Sequence, residues 1–169
     1  MCVPLCPTFA DDAPDSGPTA NMPQRERDLI AILLDARKQY NASHSTSPAA
    51  DARIAMQIRV ISFMRQSQLA TDWIGTVKSR GITPEGYAWI TIEIAEGVTV
   101  STWTTLADDG DSATMFRPKA KLFAPAQAAK IASPIIFSGT ILKSVLADDD
   151  EMVLRPRFIA RFSDLKLAQ

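Results

Sequence analysis

Between Trp73 and Trp103 the chain reads WIGTVKSRGITPEGYAWITIEIAEGVTVSTW. Within it Ala88, Ile90, Ile92 and Ile94 alternate with Trp89, Thr91 and Glu93, and Tyr87 precedes them in the same phase as Trp89. Strict alternation is the pattern of a strand with one buried face, and a helix of this sequence would scatter the isoleucines around its axis. The segment therefore reads as three consecutive antiparallel strands, 71–78, 87–94 and 98–104, joined by two tight turns. Ala95, Glu96 and Gly97 form a three-residue hairpin loop with glycine at the left-handed position. That loop pairs Ile94 with Val98, Ile92 with Val100 and Ile90 with Thr102. On the other face it pairs Glu93 with Thr99, Thr91 with Ser101 and Trp89 with Trp103. A one-residue slip would turn every isoleucine to the wrong layer, so the hydrophobic pattern fixes the register.

The hairpin needs neighbours. Upstream, residues 24–68 carry helical spacing. Leu29, Ile30, Leu33, Ala36, the stem of Arg37 and Tyr40 make one face, while Glu26 and Asp28 lie near the N-terminus, where the helix dipole favours them. The polar segment NASHSTS breaks this helix, and Ser47–Pro48 then suits an N-cap and first turn. The second helix runs to about Gln68 with Ile54, Ile58, Ile61 and Phe63–Met64 as its expected apolar side. Downstream, residues 105–130 are irregular apart from one short helix in PAQAAKI. A fourth strand spans 135–146 with a bend at Gly139, and a fifth spans 153–162 with Phe158, Ala160 and Phe162 on one face. The expected architecture is α+β: an N-terminal helical hairpin packed on a five-stranded antiparallel OB-like barrel over residues 70–166, the two forming one globular domain.

WIGTV, the hairpin ending in STW, the acidic loop LADDGDSA, IIFSGT and FIARFSD, in that order, resemble an uncharacterised bacterial exported domain, over roughly residues 25–166. The resemblance implies an OB-like small barrel and no known activity. Relatives of that kind carry asparagines after the TW, where this chain has Thr104 and Thr105.

The uncharged decapeptide MCVPLCPTFA ends in a small-x-small pattern and reads as the back half of a secretory leader lacking its basic start; an ordinary unstructured N-terminus is the competing reading. Both cysteines, Cys2 and Cys6, lie within it, so cleavage after Ala10 leaves a mature chain without a disulfide. Residues 11–23 are acidic and proline-rich, a tail too polar to order itself. The expected location is periplasmic or secreted, with a cytoplasmic protein as the alternative. With 18 basic and 19 acidic residues, no global field draws the chain to nucleic acid or to an anionic membrane. No apolar run approaches the length of a bilayer span.

The chemistry-bearing residues argue against catalysis. The single histidine, His44, sits in the polar link between helices, too isolated for a triad. Zinc would need clustered Cys and His. Asp108, Asp109 and Asp111 around Gly110, and Asp148 to Glu151, depart from calcium-loop spacing and read as solvated loop tips. Nothing links Glu93 and Asp109 as a carboxylate pair, and the seven glycines form no phosphate-binding loop. No cofactor and no metal is expected, and a small hydrolase ranks third among the functions.

Binding is the better reading. The candidate interaction face comprises Tyr87, Trp89 and Trp103, with Arg117, Lys119 and Lys121 as the charge beside them. As an open platform it suits single-stranded nucleic acid, since OB-type barrels stack bases on aromatic rings beside basic groups. Yet the helical hairpin must bury its own apolar side, and the outer face of the strands offers a surface for it. Helix-covered tryptophans are therefore expected. The expected role is a non-catalytic interaction domain, an accessory part of a cell-envelope assembly. A protein partner is favoured over nucleic acid.

Overall fold

The computed structural model describes residues 21–42, 46–110, 113–145 and 151–167. The N-terminal decapeptide with Cys2 and Cys6, most of the acidic tail, His44, Asp111 and Asp148 to Asp150 lie outside the described residues. Two helices, α1 (Gln24–Ala42) and α2 (Thr46–Gln66), precede β1 (Leu69–Ile82), β2 (Ala88–Ala95) and β3 (Val98–Ser101). After short helices α3 (Leu106–Asp109) and α4 (Phe123–Ala128) come β4 (Pro134–Val145), the helical turn α5 (Glu151–Leu154) and β5 (Arg157–Leu167). The strands close into a barrel in the order β1-β2-β3-β5-β4.

The barrel is mixed, not wholly antiparallel as expected. β3 and β5 run parallel, pairing Thr99 with Arg157, Val100 with Phe158 and Ser101 with Ile159. The reason is parity. A closed ring with an odd number of strands cannot alternate direction at every seam, so one seam has to be parallel. The fifth strand also starts later than expected: Val153 lies in α5, and the strand begins at Arg157, after Pro156.

The central hairpin keeps its derived register at Ile92–Val100, Thr91–Ser101 and Glu93–Thr99. Near the turn it shifts, so that Ala95 rather than Ile94 opposes Val98. At the other end β3 stops at Ser101. Thr102 still donates its N–H to Ile90 O at 3.1 Å, and its own Oγ1 accepts from Ile90 N at 3.2 Å. The chain then leaves, and Phe116 takes the place beside Ala88. The isoleucines of β2 point into the barrel with Val98, Val100, Ile135, Phe137, Phe158 and Phe162, all buried.

Gly139 marks the expected bend, at a register shift between β4 and β5. A Cβ there would lie 2.5 Å from Arg161 O and 2.9 Å from Phe162 Cα, both backbone atoms that cannot swing aside. Gly139→Ala should therefore lower stability by about 1–3 kcal/mol. Urea unfolding will read this as a lower midpoint at an unchanged slope.

An apolar barrel needs a stopper at each end. At one end α4 packs against β1, β2 and β5, with Ala126 fully buried. At the other, α1 and α2 pack on each other and on α5. Leu33, Met56 and Val60 meet Met152, Pro156 and Phe158 there. Polar ties hold the same end: Arg37 Nη1 donates to Glu96 O at 2.9 Å, and the Glu26 carboxylate accepts from Ile74 N at 2.9 Å. Helices and strands share one core cluster.

On α1 the expected face is the buried one. On α2 it is not. Ala52, Met56, Val60 and Phe63 are buried, while Ile54, Ile58 and Ile61 are 51%, 60% and 44% exposed. This helix carries two apolar stripes on opposite sides, and its own periodicity cannot say which one faces inward.

Candidate functional site: an open groove on the barrel wall

With the helices at the barrel end, the outer wall of β1–β3 is left open, contrary to the expected covering of Trp89. An open groove of about 840 Å³ runs along it, lined by no described residue of α1 or α2. Alternation on β2 presents Trp89, Thr91 and Glu93 to it, β3 adds Thr99, and β1 contributes Lys78 and Ser79 beside a local bulge. Glu96 and Gly97 close one end, Thr104 lies along it, and Arg155 and Arg157 form the far bank. Arg157 arrives there because the parallel seam pairs it with Thr99.

Trp89 is half-buried and well fixed. It pairs with Gly81 across the β1–β2 ladder, and a Cβ on Gly81 would fall 2.7 Å from the indole ring. The ring thus lies on bare backbone, a glycine on one strand making room for an aromatic on the next. Trading Gly81 for alanine should push the ring off its seat and alter its emission, which steady-state tryptophan fluorescence against wild type will detect.

The groove is polar and nearly balanced in charge. Lys78 Nζ lies 2.7 Å from Glu93 Oε1, which also accepts from Gly97 N at 3.0 Å. These bonds, that from Lys78 foremost, hold the Glu93 carboxyl below its ordinary range. Glu93 is therefore an ionised acceptor and a poor general base at neutral pH. Arg157 Nε donates to the buried Ser101 Oγ at 3.3 Å. Among the described residues neither Arg155 nor Arg157 has a carboxylate within salt-bridge distance, so two guanidiniums face the groove unneutralised. One aromatic wall, a row of hydroxyls and two planar cations suit a polar, extended ligand that carries an anionic group.

The sequence-derived face is dispersed. Trp89 lines the groove. Trp103 is half-buried elsewhere: its N–H donates to Thr114 Oγ1 at 3.0 Å, and Lys143 Nζ sits 4.6 Å from its ring centroid. The expected Trp89–Trp103 pairing is absent, because the ladder ends one residue earlier. Tyr87, half-buried, lies in the turn before β2, where its N–H donates to Thr83 Oγ1 at 3.3 Å. Arg117 and Lys121 line a separate depression with Arg161, Phe162 and Ser163, and Lys119 is exposed in the same loop.

The carboxylates considered as a pair belong to different networks. Glu93 is tied to Lys78, whereas Asp109 is buried and accepts from Thr114 N at 2.7 Å, from Thr114 Oγ1 and from Met115 N at 3.4 Å. Asp109 folds its loop back on itself. Among the described residues no group of three or more His, Cys, Asp and Glu could hold a metal ion, and no helix is long and apolar enough to cross a membrane. Comparison of the chain with protein-family models, with curated proteins and with solved structures finds no match.

Proposed function

We propose that this chain is a non-catalytic binding domain, exported to the periplasm or beyond, that takes a segment of a protein partner in the groove beside Trp89 as an accessory part of an envelope assembly. The observation that carries this reading is the aromatic wall seated on Gly81, opposite two unneutralised guanidiniums in an open channel. A peptide with an apolar side chain near a carboxylate matches that pattern, the ring taking the first and Arg155 or Arg157 the second. Ring order β1-β2-β3-β5-β4, with helices inserted between β3 and β4, supports an OB-type barrel.

Single-stranded nucleic acid is the second reading, favoured by an aromatic on the outer face of β2 with two arginines beside it, Arg157 at the start of β5 and Arg155 just before it. Two features weigh against it. Glu93 and Glu96 stand in the groove, where they repel phosphates, and one ring makes a short stacking platform.

A photo-crosslinking residue at Thr99, inside the groove, is expected to trap a partner in living cells, whereas the same probe at exposed Ser163 is not. Equal labelling from both positions would sink the groove as the binding surface. Salt-sensitive binding of oligo-deoxythymidine, lost in Trp89→Ala, would transfer the site to the second reading. Export is checked separately: N-terminal sequencing of native material should begin at Asp11, and an intact Met1 would remove that part of the proposal.

A further inference from the structure

Among the described residues nothing covers the isoleucine stripe of α2, and its neighbours say what fits it. Ile54 and Ile58 lie on the side of the helix opposite Ala52, Met56, Val60 and Phe63 and point away from the barrel. Ile61, on the edge of the same stripe, borders with Arg65 an open depression shared with Leu142 and Ser144 of β4. Such a row of half- to mostly exposed isoleucines is unusual on a free surface. The same side carries Asp51, Ala55, Ser62 and Arg65, all exposed. Among the described residues Asp51 and Arg65 make no salt bridge, whereas Arg59, one turn from Ala55, is held by Asp35 at 2.5 Å.

These residues are arranged symmetrically about Ile58. Asp51 precedes it by one heptad, about two helical turns, and Arg65 follows it by the same distance. An antiparallel copy of α2 centred on Ile58 therefore sets Asp51 against Arg65 of the second copy, and the reverse, at both ends of the contact. Between them it sets Ile54 against Ser62 and Ile61 against Ala55, large beside small, with Ile58 packing on its own counterpart at the axis. Self-complementarity about one point is what a two-fold interface demands. A parallel pairing would place Asp51 beside Asp51 and Arg65 beside Arg65, so the charges select the antiparallel one.

We propose that the chain forms a two-fold dimer through α2, with Ile58 on the axis and Asp51 paired to Arg65 across it. Two helices in contact over about four turns cover on the order of 1,000 Å² in total, near the lower limit for specific interfaces. The dimer is accordingly reversible and of modest affinity. Both grooves beside Trp89 stay open in it, because they lie on the barrel wall and not on the helices.

Sedimentation equilibrium of the full chain from low to high micromolar concentration should show a monomer–dimer equilibrium. Ile58→Glu should abolish it without lowering the melting temperature measured at dilutions where the wild type is monomeric, since the side chain it replaces is exposed. Asp51→Arg and Arg65→Asp should each weaken association about tenfold, and the double variant should recover most of the loss, because the swap restores opposite charges at both ends. In a Cys2→Ser/Cys6→Ser background, Ile58→Cys should oxidise to a covalent dimer, reporting the axis even if association is weak. A wild-type chain that stays monomeric throughout, or an Ile58→Glu variant that still dimerises, overturns the proposal. Failure of the double swap to recover affinity overturns its register.

Discussion

Urea unfolding of this chain will show stability falling as pH rises from about 4.5 to 7, by a total on the order of 3 kcal/mol, and the slope will vanish in Glu26→Gln. Glu26 is fully buried on α1, facing the backbone of β1, and its carboxylate accepts from Ile74 N at 3.2 and 2.9 Å. Among the described residues it forms no salt bridge. Neighbouring Arg25 is occupied elsewhere, donating to Phe63 O at 3.0 Å and to Ser67 O with its guanidinium over the Phe63 ring. Loss of hydration therefore outweighs the Ile74 bond, and the Glu26 pKa is pushed up from 4.5 to about 7. Across that window the folded chain holds a proton that the unfolded chain has released, so stability is highest at the acid side and drains away toward neutral pH.

Other shifted groups do not imitate this slope. Asp35 and Glu93 have lowered pKa values, through Arg59 and Lys78 respectively, and their contribution is lost only as pH falls through their own depressed range. Lys166, raised by Asp72 and Asp164, acts far above the window. Gln at position 26 keeps an oxygen for Ile74 N and carries no charge, so the variant should gain stability at pH 8 and match wild type near pH 4.5. A variant less stable than wild type at pH 8 would show that the bonds to Ile74 exceed the cost of burying the charge. Because Glu26 ties the helical hairpin to the barrel, hydrogen exchange should place the pH-dependent opening in α1 and the start of β1.

How far the sequence carried depended on whether the pattern had one solution. The β2–β3 register was legible because four residues in strict alternation admit a single buried face, and Gly139 announced its bend because no other residue suits so close a backbone approach. The inward face of α2 was not legible. Met56 with Val60 and Ile54 with Ile58 are equally good stripes, and shape against the barrel end decided between them. The groove was half legible. Trp89, Thr91 and Glu93 follow from alternation, and Arg157 reads as an outward residue of the last strand. Placing Arg157 beside Thr99 required the parallel seam, which follows from counting strands in a closed ring and not from any local motif. The Trp89–Trp103 pairing failed for a local reason: Thr102 ends the ladder with its own hydroxyl, and Trp103 turns toward Thr114 and Lys143.

The chain's three tryptophans should separate cleanly under truncation, and the contrast bears on the groove. Trp73→Ala is expected to cost about 3–5 kcal/mol. Trp73 is 1% exposed and meets Phe137 edge-on at 6.1 Å, Phe137 meets Phe162 at 5.4 Å, and Phe162 leans on Phe116 at 6.2 Å. Removing the indole opens a cavity at the head of this aromatic row, where the backbone is paired to β4 through Phe137 and tied to α1 through the Glu26–Ile74 bond and so has little freedom to collapse and fill it. Trp89→Ala, by contrast, removes a ring that rests on one glycine and faces the groove, so about 1 kcal/mol is the expected loss. Trp103→Ala should fall between them, since its backbone bond to Thr114 survives while the contact with Lys143 does not. Chemical denaturation of the three variants with matched slopes measures the ranking. If Trp89→Ala proves as damaging as Trp73→Ala, the ring at position 89 belongs to the core, and the barrel wall loses the aromatic surface on which the proposed binding depends.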